Sequence, residues 1–321
     1  MPISREHAVS HVASWERRLA ASRAPYRSTW PRYLFRHEEI SNVVRLLQAG
    51  CLLSRSAASG FRDVAAGDVL ATDQRAHSYA RLYFRPTTPT QFRIEGVRRP
   101  DEIWHSAHAP VLVMLVFDSI SILSSEGTSF SNGNMQNAFS QWGDSLEFFS
   151  SIPFEDVYHV GAFAPSQRDS IVRARCAEVL AVSPLQLRPH LRAVVCRSSA
   201  ERAYLVDLLG GAIGLSLNRL IVKQTEPAIF ENKWAYVDTV DASVDGFRIS
   251  FHPRNDAGPI RVAIRVSRDG SIIWSGGIAD ASGASVWRVP CEMRDGWYRC
   301  EVDIEGCLAY SASHLIDQLP F

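Results

Sequence analysis

The sequence predicts an α+β protein, a mixed β core with helices followed by a smaller all-β sandwich of immunoglobulin-like type. Three observations lead there. Residues 31–55 read as strand, helix and glycine turn in succession. Val111-Leu112-Val113-Met114-Leu115-Val116-Phe117 is an unbroken apolar run ending at Asp118, the pattern of a central strand buried on both faces. From about residue 233 onward the chain changes to short alternating runs separated by turn residues.

Taken in order, residues 5–22 set Val9, Val12, Ala13, Leu19 and Ala20 at helical spacing, with Glu16, Arg17 and Arg18 outward, before Pro25 interrupts. Pro31 to His37 reads as a short strand. Ser41 to Gly50 reads as a helix capped by Ser41 or Asn42, with Gly50 permitting the left-handed stop. Cys51 to Arg55 follows, and residues 56–72, rich in Ser, Ala, Gly and Asp, form a surface loop.

The loop leads to the most distinctive stretch of the chain. Arg75, Arg81 and Arg85 fall within eleven residues, around an aromatic strand, Leu82-Tyr83-Phe84, that stops before Pro86. A guanidinium carries five donors in a rigid fork that suits phosphate oxygens, so clustered arginines beside a cleft point to a phosphorylated ligand. The same residues also describe a strand edge blunted by charge.

Asn132-Gly133 supplies a turn, and Met135 to Phe149 is expected to be helical. Gly161 to Asp169 is a loop. After it comes Ile171 to Val182, which turns into a strand at Ala177 and carries a single carboxylate, Glu178, among apolar neighbours. A Glu at a strand entrance is either half exposed or held at a cleft floor to bind a hydroxyl or stabilise positive charge. Leu187 to Val195 gives one more strand. Ser198 to Leu209 gives a helix capped by Ser198 or Ser199, with Glu201 in its first turn and Gly210-Gly211 ending it.

In the last section Phe247 to Phe251 and Tyr298 to Ile304 alternate, and Asp269-Gly270 is a strong hairpin signal. Six or seven such strands predict the sandwich. Trp234, Trp274, Trp287 and Trp297 read as core and hairpin packing there. Residues 1–228 and 233–321 are therefore expected to form two domains, and 321 residues suffice for both.

Composition narrows the functional classes. No apolar run of about 18 residues exists, and the N-terminus has no signal-peptide core, so a cytoplasmic protein with no membrane partner is expected. The six cysteines form no CxxC pair and have no histidines at ligand spacing, which predicts reduced thiols and no metal site. The net charge of zero hides a division: nine Lys and Arg against thirteen Asp and Glu from Ile229 onward, and twenty-five against twenty-one before it. The first part is the one that could face a polyanion. Only Lys223 and Lys233 are lysines, so thirty-two of thirty-four basic residues are arginine, which suits phosphate forks and base stacking but follows equally from coding bias.

Three ordered motifs in the first 228 residues carry a resemblance to a known family: Tyr33-Leu34-Phe35-Arg36-His37 with Asn42 and Gly50-Cys51-Leu52-Leu53-Ser54-Arg55; Arg75 ahead of Tyr83-Phe84-Arg85-Pro86-Thr87-Thr88-Pro89; and Ala177-Glu178-Val179-Leu180-Ala181-Val182. Together they resemble the DarT family of NAD-dependent nucleic-acid ADP-ribosyltransferases, the toxin half of toxin–antitoxin pairs. The resemblance implies an ADP-ribosyltransferase fold that uses NAD as a substrate. It implies catalytic roles for Arg75 and Glu178, and a cofactor pocket built by Arg36, His37, Glu38, Arg45, Gly50, Leu53 and Arg75. Counted back from Asn42 and Gly50, the family's pocket histidine falls on Arg36, whereas the histidine here is His37. A one-residue slip turns a strand side chain to the other face.

It further implies that the loop before the glutamate, His159 to Arg175, reads the target through Gln167, Arg168, Arg173 and Arg175; the other reading of those arginines is a charged helix face. The acceptor implied is a base nitrogen in single-stranded DNA or RNA, presented out of the stack, with a macrodomain antitoxin as a partner and an anti-phage role. A protein or other acceptor, or a degenerate NAD- or nucleic-acid-binding module, are the alternatives. The chemistry suits the residue types, since breaking the nicotinamide–ribose bond creates oxocarbenium character that a carboxylate stabilises. All of this requires Arg75 and Glu178 to line one dinucleotide-sized hollow.

Overall fold

The structure is a computed structural model that describes residues 3–59, 77–103, 108–137, 139–225, 229–254, 256, 258–281 and 286–317. In chain order it begins α1 (Arg5–Ala20), β1 (Tyr33–Glu39), α2 (Ile40–Ala49), β2 (Cys51–Leu52), β3 (Tyr79–Tyr83), α3 (Pro89–Ile94), β4 (Leu112–Asp118), α4 (Ser119–Leu123), β5 (Ser129–Ser131) and β6 (Trp142–Gly143). It continues α5 (Leu146–Ser151), α6 (Phe154–Val157), α7 (Arg168–Ala174), β7 (Glu178–Val182), β8 (Leu185–Gln186), α8 (Leu187–His190), β9 (Leu191–Cys196), α9 (Ser199–Leu209), α10 (Gly211–Leu217) and β10 (Ile221–Lys223). Strands β11 (Tyr236–Ser243), β12 (Gly246–His252), β13 (Ile260–Arg268), β14 (Ser271–Ala281), β15 (Val286–Pro290), β16 (Gly296–Ile304) and β17 (Cys307–Ile316) complete it.

Eight strands form one sheet in the order β10-β9-β4-β1-β3-β7-β5-β6. The apolar run predicted to be central is central: β4 lies between β9 and β1, and Leu112 to Phe117 are all buried. Strands β1 and β4 pair along their whole length, from Tyr33↔Asp118 to Glu39↔Leu112. Strands β3 and β7 do likewise, from Tyr79↔Val182 to Tyr83↔Glu178. Between these two pairs the sheet has a seam, because β1 and β3 share the single register pair Phe35↔Tyr83.

Helix α1 forms as its sequence dictates. Ser4 caps it by accepting from the His7 N–H, Glu6 sits in the first turn, and Arg17 and Arg18 sit in the last, where the helix dipole favours them. Its buried stripe is Ala8, Val12, Trp15 and Leu19, so the apolar face is rotated from the expected one and Val9 is exposed. The reason lies in Trp15 and in His11, whose ring packs against Phe149 and Phe154 at 4.8 and 4.4 Å.

The His11 Nε2 is buried without a hydrogen-bond partner, and burial pulls its pKa down to about 4. A depressed folded-state value favours the neutral ring, so this contribution to stability is full above pH 6.5 and lost as pH falls from 6.5 towards 4. The loss comes to roughly 3 kcal/mol. As pH falls over that window the melting temperature of the wild type is expected to drop relative to that of His11→Leu, which carries no titrating group there; parallel curves would contradict the assignment.

Other local expectations needed correction. Helix α2 is capped by Glu39, whose carboxylate accepts from the Ser41 N–H at 2.9 Å, and not by Ser41 or Asn42. The strand before it runs two residues further than expected, which places Asn42 inside the helix, buried. Gly50 does adopt the left-handed stop, at φ 70°. Met135 to Phe149 is not one helix: only Leu146–Ser151 belongs to α5. Asn134 and Asn137 accept from the N–H groups of Gln136 and Phe139, local turns that compete with a helix. Leu187–His190 forms a turn around Pro189, so β9 starts at Leu191, and β7 starts at Glu178 instead of Ala177. Ser198, not Ser199, caps α9.

Residues from Tyr236 onward build two antiparallel sheets, β11-β12-β15 and β14-β13-β16-β17, seven strands that match the predicted sandwich. Asp269 and Gly270, at φ 51° and 79°, make the β13–β14 turn with both central residues left-handed, as the right-handed strand twist requires. Trp287 packs on Phe251, and Trp234 lies under the guanidinium groups of Arg98 and Arg254. Trp297 departs from the expected packing role, being 61% exposed.

Helix α9 joins this part to the eight-stranded sheet. Ser198 donates to the Val237 carbonyl at 2.7 Å, and Asp207 accepts from Ser313 N at 3.0 Å and from Arg299 at 2.9 Å. Glu95, fully buried, accepts from the N–H groups of Glu231 and Asn232. No described helix is long and apolar enough to cross a membrane.

Candidate active site

Glu178 is the first residue of β7 and has no exposed surface. Its position follows from the chain around it: α7 ends at Ala174, one further turn reverses the direction, and the ladder to Tyr83 begins at once. Its own N–H donates to Ser131 Oγ at 3.1 Å, and that hydroxyl donates to the Gly133 carbonyl at 2.6 Å. Its carboxylate is held by a guanidinium fork. Arg81 Nε donates to Oε2 at 3.1 Å and Arg81 Nη2 to Oε1, while Met135 N reaches Oε2 at 3.4 Å. A carboxylate has about four lone-pair directions. Among the described residues three are taken, two on Oε2 and one on Oε1, and none of them fills the second position on Oε1.

Arg81 also donates to Asn134 Oδ1 at 3.0 Å. Across the seam, Arg36 Nη1 donates to the Arg81 carbonyl at 3.3 Å, so a side chain serves where the two strands have parted. Arg36 is paired in turn with Glu38, through Nε at 2.8 Å and through Nη2, and Asn42 Nδ2 donates to the other Glu38 oxygen at 3.3 Å. One polar chain thus runs from α2 through β1 and β3 to β7.

Beside it lies an aromatic pair. The His37 and Tyr83 rings are stacked, 5.2 Å apart and within 4° of parallel. Burial, with help from the Arg36 and Arg81 charges, holds the His37 imidazole down to about 3, so it is neutral and apolar in character. Burial likewise pushes the Tyr83 phenol well up, and Glu178, opposite Tyr83 on the ladder, adds to the shift.

Of the residues singled out from sequence, Glu178, Arg36, His37 and Glu38 come together here. Arg45 stands exposed on α2, Gly50 forms the stop of that helix, and Leu53 is half-buried just past β2. Arg75 lies outside the described residues; among the described residues the arginine that meets Glu178 is Arg81. The segment of three arginines contained it, and strand parity with Tyr83 was the available signal. Nothing in the sequence told that β3 and β7 are partners. Arg85, the third arginine, is buried and donates to the Val157, His159 and Pro86 carbonyls, which fixes a chain reversal.

In the loop before the glutamate, Gln167 accepts from Ala164 N at 3.3 Å and Arg168 is exposed at the start of α7. The Arg173 stem packs over Gly133 so closely that a Cβ there would lie 2.6 Å from its Cγ. Arg175 donates to His159 Nδ1 at 2.7 Å and lies over the Phe163 ring at 5.1 Å. A cavity of about 370 Å³ opens between α1 and this loop, lined by Trp15, Arg18, Arg27, Glu155 and His159 among others; it shares no residue with the Glu178 cluster.

Compared with known proteins, residues 35–226, well over half of the chain, match the family model described as DarT, ssDNA thymidine ADP-ribosyltransferase. Among solved structures, the chain is similar to Thermus sp. 2.9 DarT in complex with ADP-ribosylated ssDNA, with 14% identity, a TM-score of 0.48, and coverage of 60% of this chain and 94% of that one. The same protein in complex with NAD+ gives 14% identity and a TM-score of 0.46 over 60% of this chain and 96% of that one. Thermosipho africanus DarTG in complex with ADP-ribose gives 16% identity and a TM-score of 0.46 over 62% of this chain and 51% of that one. No curated protein sequence matches. The match across residues 35–226 places this chain in the DarT family, and it is an NAD-dependent ADP-ribosyltransferase.

Proposed function

We propose that this enzyme transfers the ADP-ribosyl group of NAD to a base nitrogen of thymidine in single-stranded DNA, as a toxin or anti-phage effector countered by a macrodomain antitoxin. The acceptor follows the family description. The observation that carries the reading is Glu178: a wholly buried carboxylate at a strand entrance, forked by Arg81, with one acceptor direction that no described residue fills.

The residues present fit NAD. Arg36 keeps 28% of its side chain exposed and Arg81 13%, enough for guanidinium edges to meet a pyrophosphate. The neutral His37 and Tyr83 rings offer an apolar wall for a flat nicotinamide. The Glu178 Oε1 lone pair that no described residue fills is suited to a ribose hydroxyl, and the negative charge beside it favours positive charge developing at the sugar. When bound, NAD supplies the activated glycosidic bond. Gln167, Arg168, Arg173 and Arg175 serve the nucleic acid in this reading, with Gln167 and Arg168 exposed and Arg173 and Arg175 half-buried.

The test is incubation of the enzyme with labelled NAD and a mixture of single-stranded DNA, RNA and protein. Label is expected in thymidine-containing DNA, with nucleoside mass spectrometry placing it on the base. Label confined to RNA or protein would overturn the choice of acceptor.

A further inference from the structure

Phe139 is 78% exposed. Described residues on both sides of it are hydrogen-bonded. Asn132 and Gln141 close the neck by two hydrogen bonds, Asn132 N to Gln141 O and Gln141 N to Asn132 Oδ1, at 3.1 and 2.9 Å. Asn137 accepts from Phe139 N through its side chain and from Ser140 N through its carbonyl, each at 2.9 Å.

The same loop is fastened to the catalytic cluster. Asn134 accepts from Arg81, and Met135 N donates to Glu178, four residues before Phe139. At its neck the Arg173 stem and the Ser140 hydroxyl crowd Gly133, where any side chain would collide with both. The exposed ring is therefore carried by a loop whose described residues touch Arg81, Glu178 and Arg173. Solitary exposed apolar residues are common on surfaces and need no explanation. This one differs in its loop, where Gly133 lies between the Ser140 hydroxyl and the Arg173 stem. An aromatic ring and a cation carried close together suit single-stranded nucleic acid: bases stack on the ring and the backbone follows the charge.

We infer that Phe139 is a stacking platform for a base of the single-stranded substrate, with Arg173 contacting the adjoining phosphate, so that the strand is positioned over Glu178. Phe139 is a positioning residue: it orients the acceptor and takes no part in bond making. The inference rests on the single-stranded acceptor proposed above.

Phe139→Ala and Phe139→Trp decide it, measured in transfer assays against a thymidine-containing oligonucleotide and in anisotropy titrations of the same labelled oligonucleotide. For the alanine variant the oligonucleotide KM and Kd are expected to rise about 5- to 100-fold, with the KM for NAD moving far less, and the tryptophan variant is expected to restore both. Arg173→Gln is expected to shallow the slope of log Kd against log salt by about 0.7, the share of one phosphate contact on a single strand. Wild-type-like oligonucleotide KM and Kd in Phe139→Ala would overturn the platform while leaving the proposed acceptor standing. A wild-type enzyme that labels no DNA would overturn the acceptor and the platform together.

Discussion

Glu178→Gln is expected to lower ADP-ribosyl transfer by about 10²- to 10³-fold, the range found when one preorganised electrostatic group is removed from a reacting centre. The amide keeps the shape and an oxygen acceptor for Arg81 but removes the charge that faces the developing positive centre. Glu178→Ala, the blunter change, abolishes transfer for a second reason as well. Arg81 would lose the fork partner that balances its charge in a site where only 13% of its side chain meets solvent. Breaking a buried pair by removing one partner costs roughly 3–5 kcal/mol. Initial rates with labelled NAD and thermal melts of both variants separate the two effects: Gln, which keeps the shape and one acceptor oxygen, is expected to lose activity with a smaller drop in melting temperature than Ala. Transfer at wild-type rates in Glu178→Gln would remove this carboxylate from the chemistry.

Arg81→Ala is expected to have the larger effect on stability. It strands a carboxylate with no solvent contact, frees Asn134 from its donor, and loosens the loop that Asn134 and Met135 tie to the site. A penalty of roughly 3–5 kcal/mol corresponds to a melting temperature lower by about 6–20 °C at this size. Transfer is expected to fall at least as far as in Glu178→Gln, since the fork fixes the orientation of the carboxylate. Arg81→Lys is not a conservative change, because an ammonium meets one oxygen where the guanidinium meets both and reaches Asn134 besides. An Arg81→Ala enzyme that melts with the wild type and transfers normally would show that the pair is incidental.

The local chemistry of the chain was readable wherever a short segment settles its own conformation. Gly50 follows a run with helical spacing and takes the positive φ that glycine tolerates. Asp269-Gly270 sits between alternating runs and makes the predicted hairpin. The apolar stretch ending at Asp118 became the strand with neighbours on both sides. Where a segment contained competing options the reading failed. Asn134 and Asn137 spend their side chains on local turns, which ends the helix expected there, and Glu39 outcompetes Ser41 as a cap because β1 extends far enough to present its carboxylate.

The sequence by itself determined the carboxylate at the entrance of β7, the aromatic strand with its arginines, and the neighbouring Arg36, His37 and Glu38, because each is a property of one segment. Only the tertiary structure decided that Arg81 meets Glu178. That depends on β3 lying against β7 with Tyr83 opposite Glu178, a pairing across ninety-five residues of chain that no local pattern encodes. It also decided that β1 and β3 part after a single register pair, leaving a seam that Arg36 bridges, since strand separation is set by how whole sheets pack and twist.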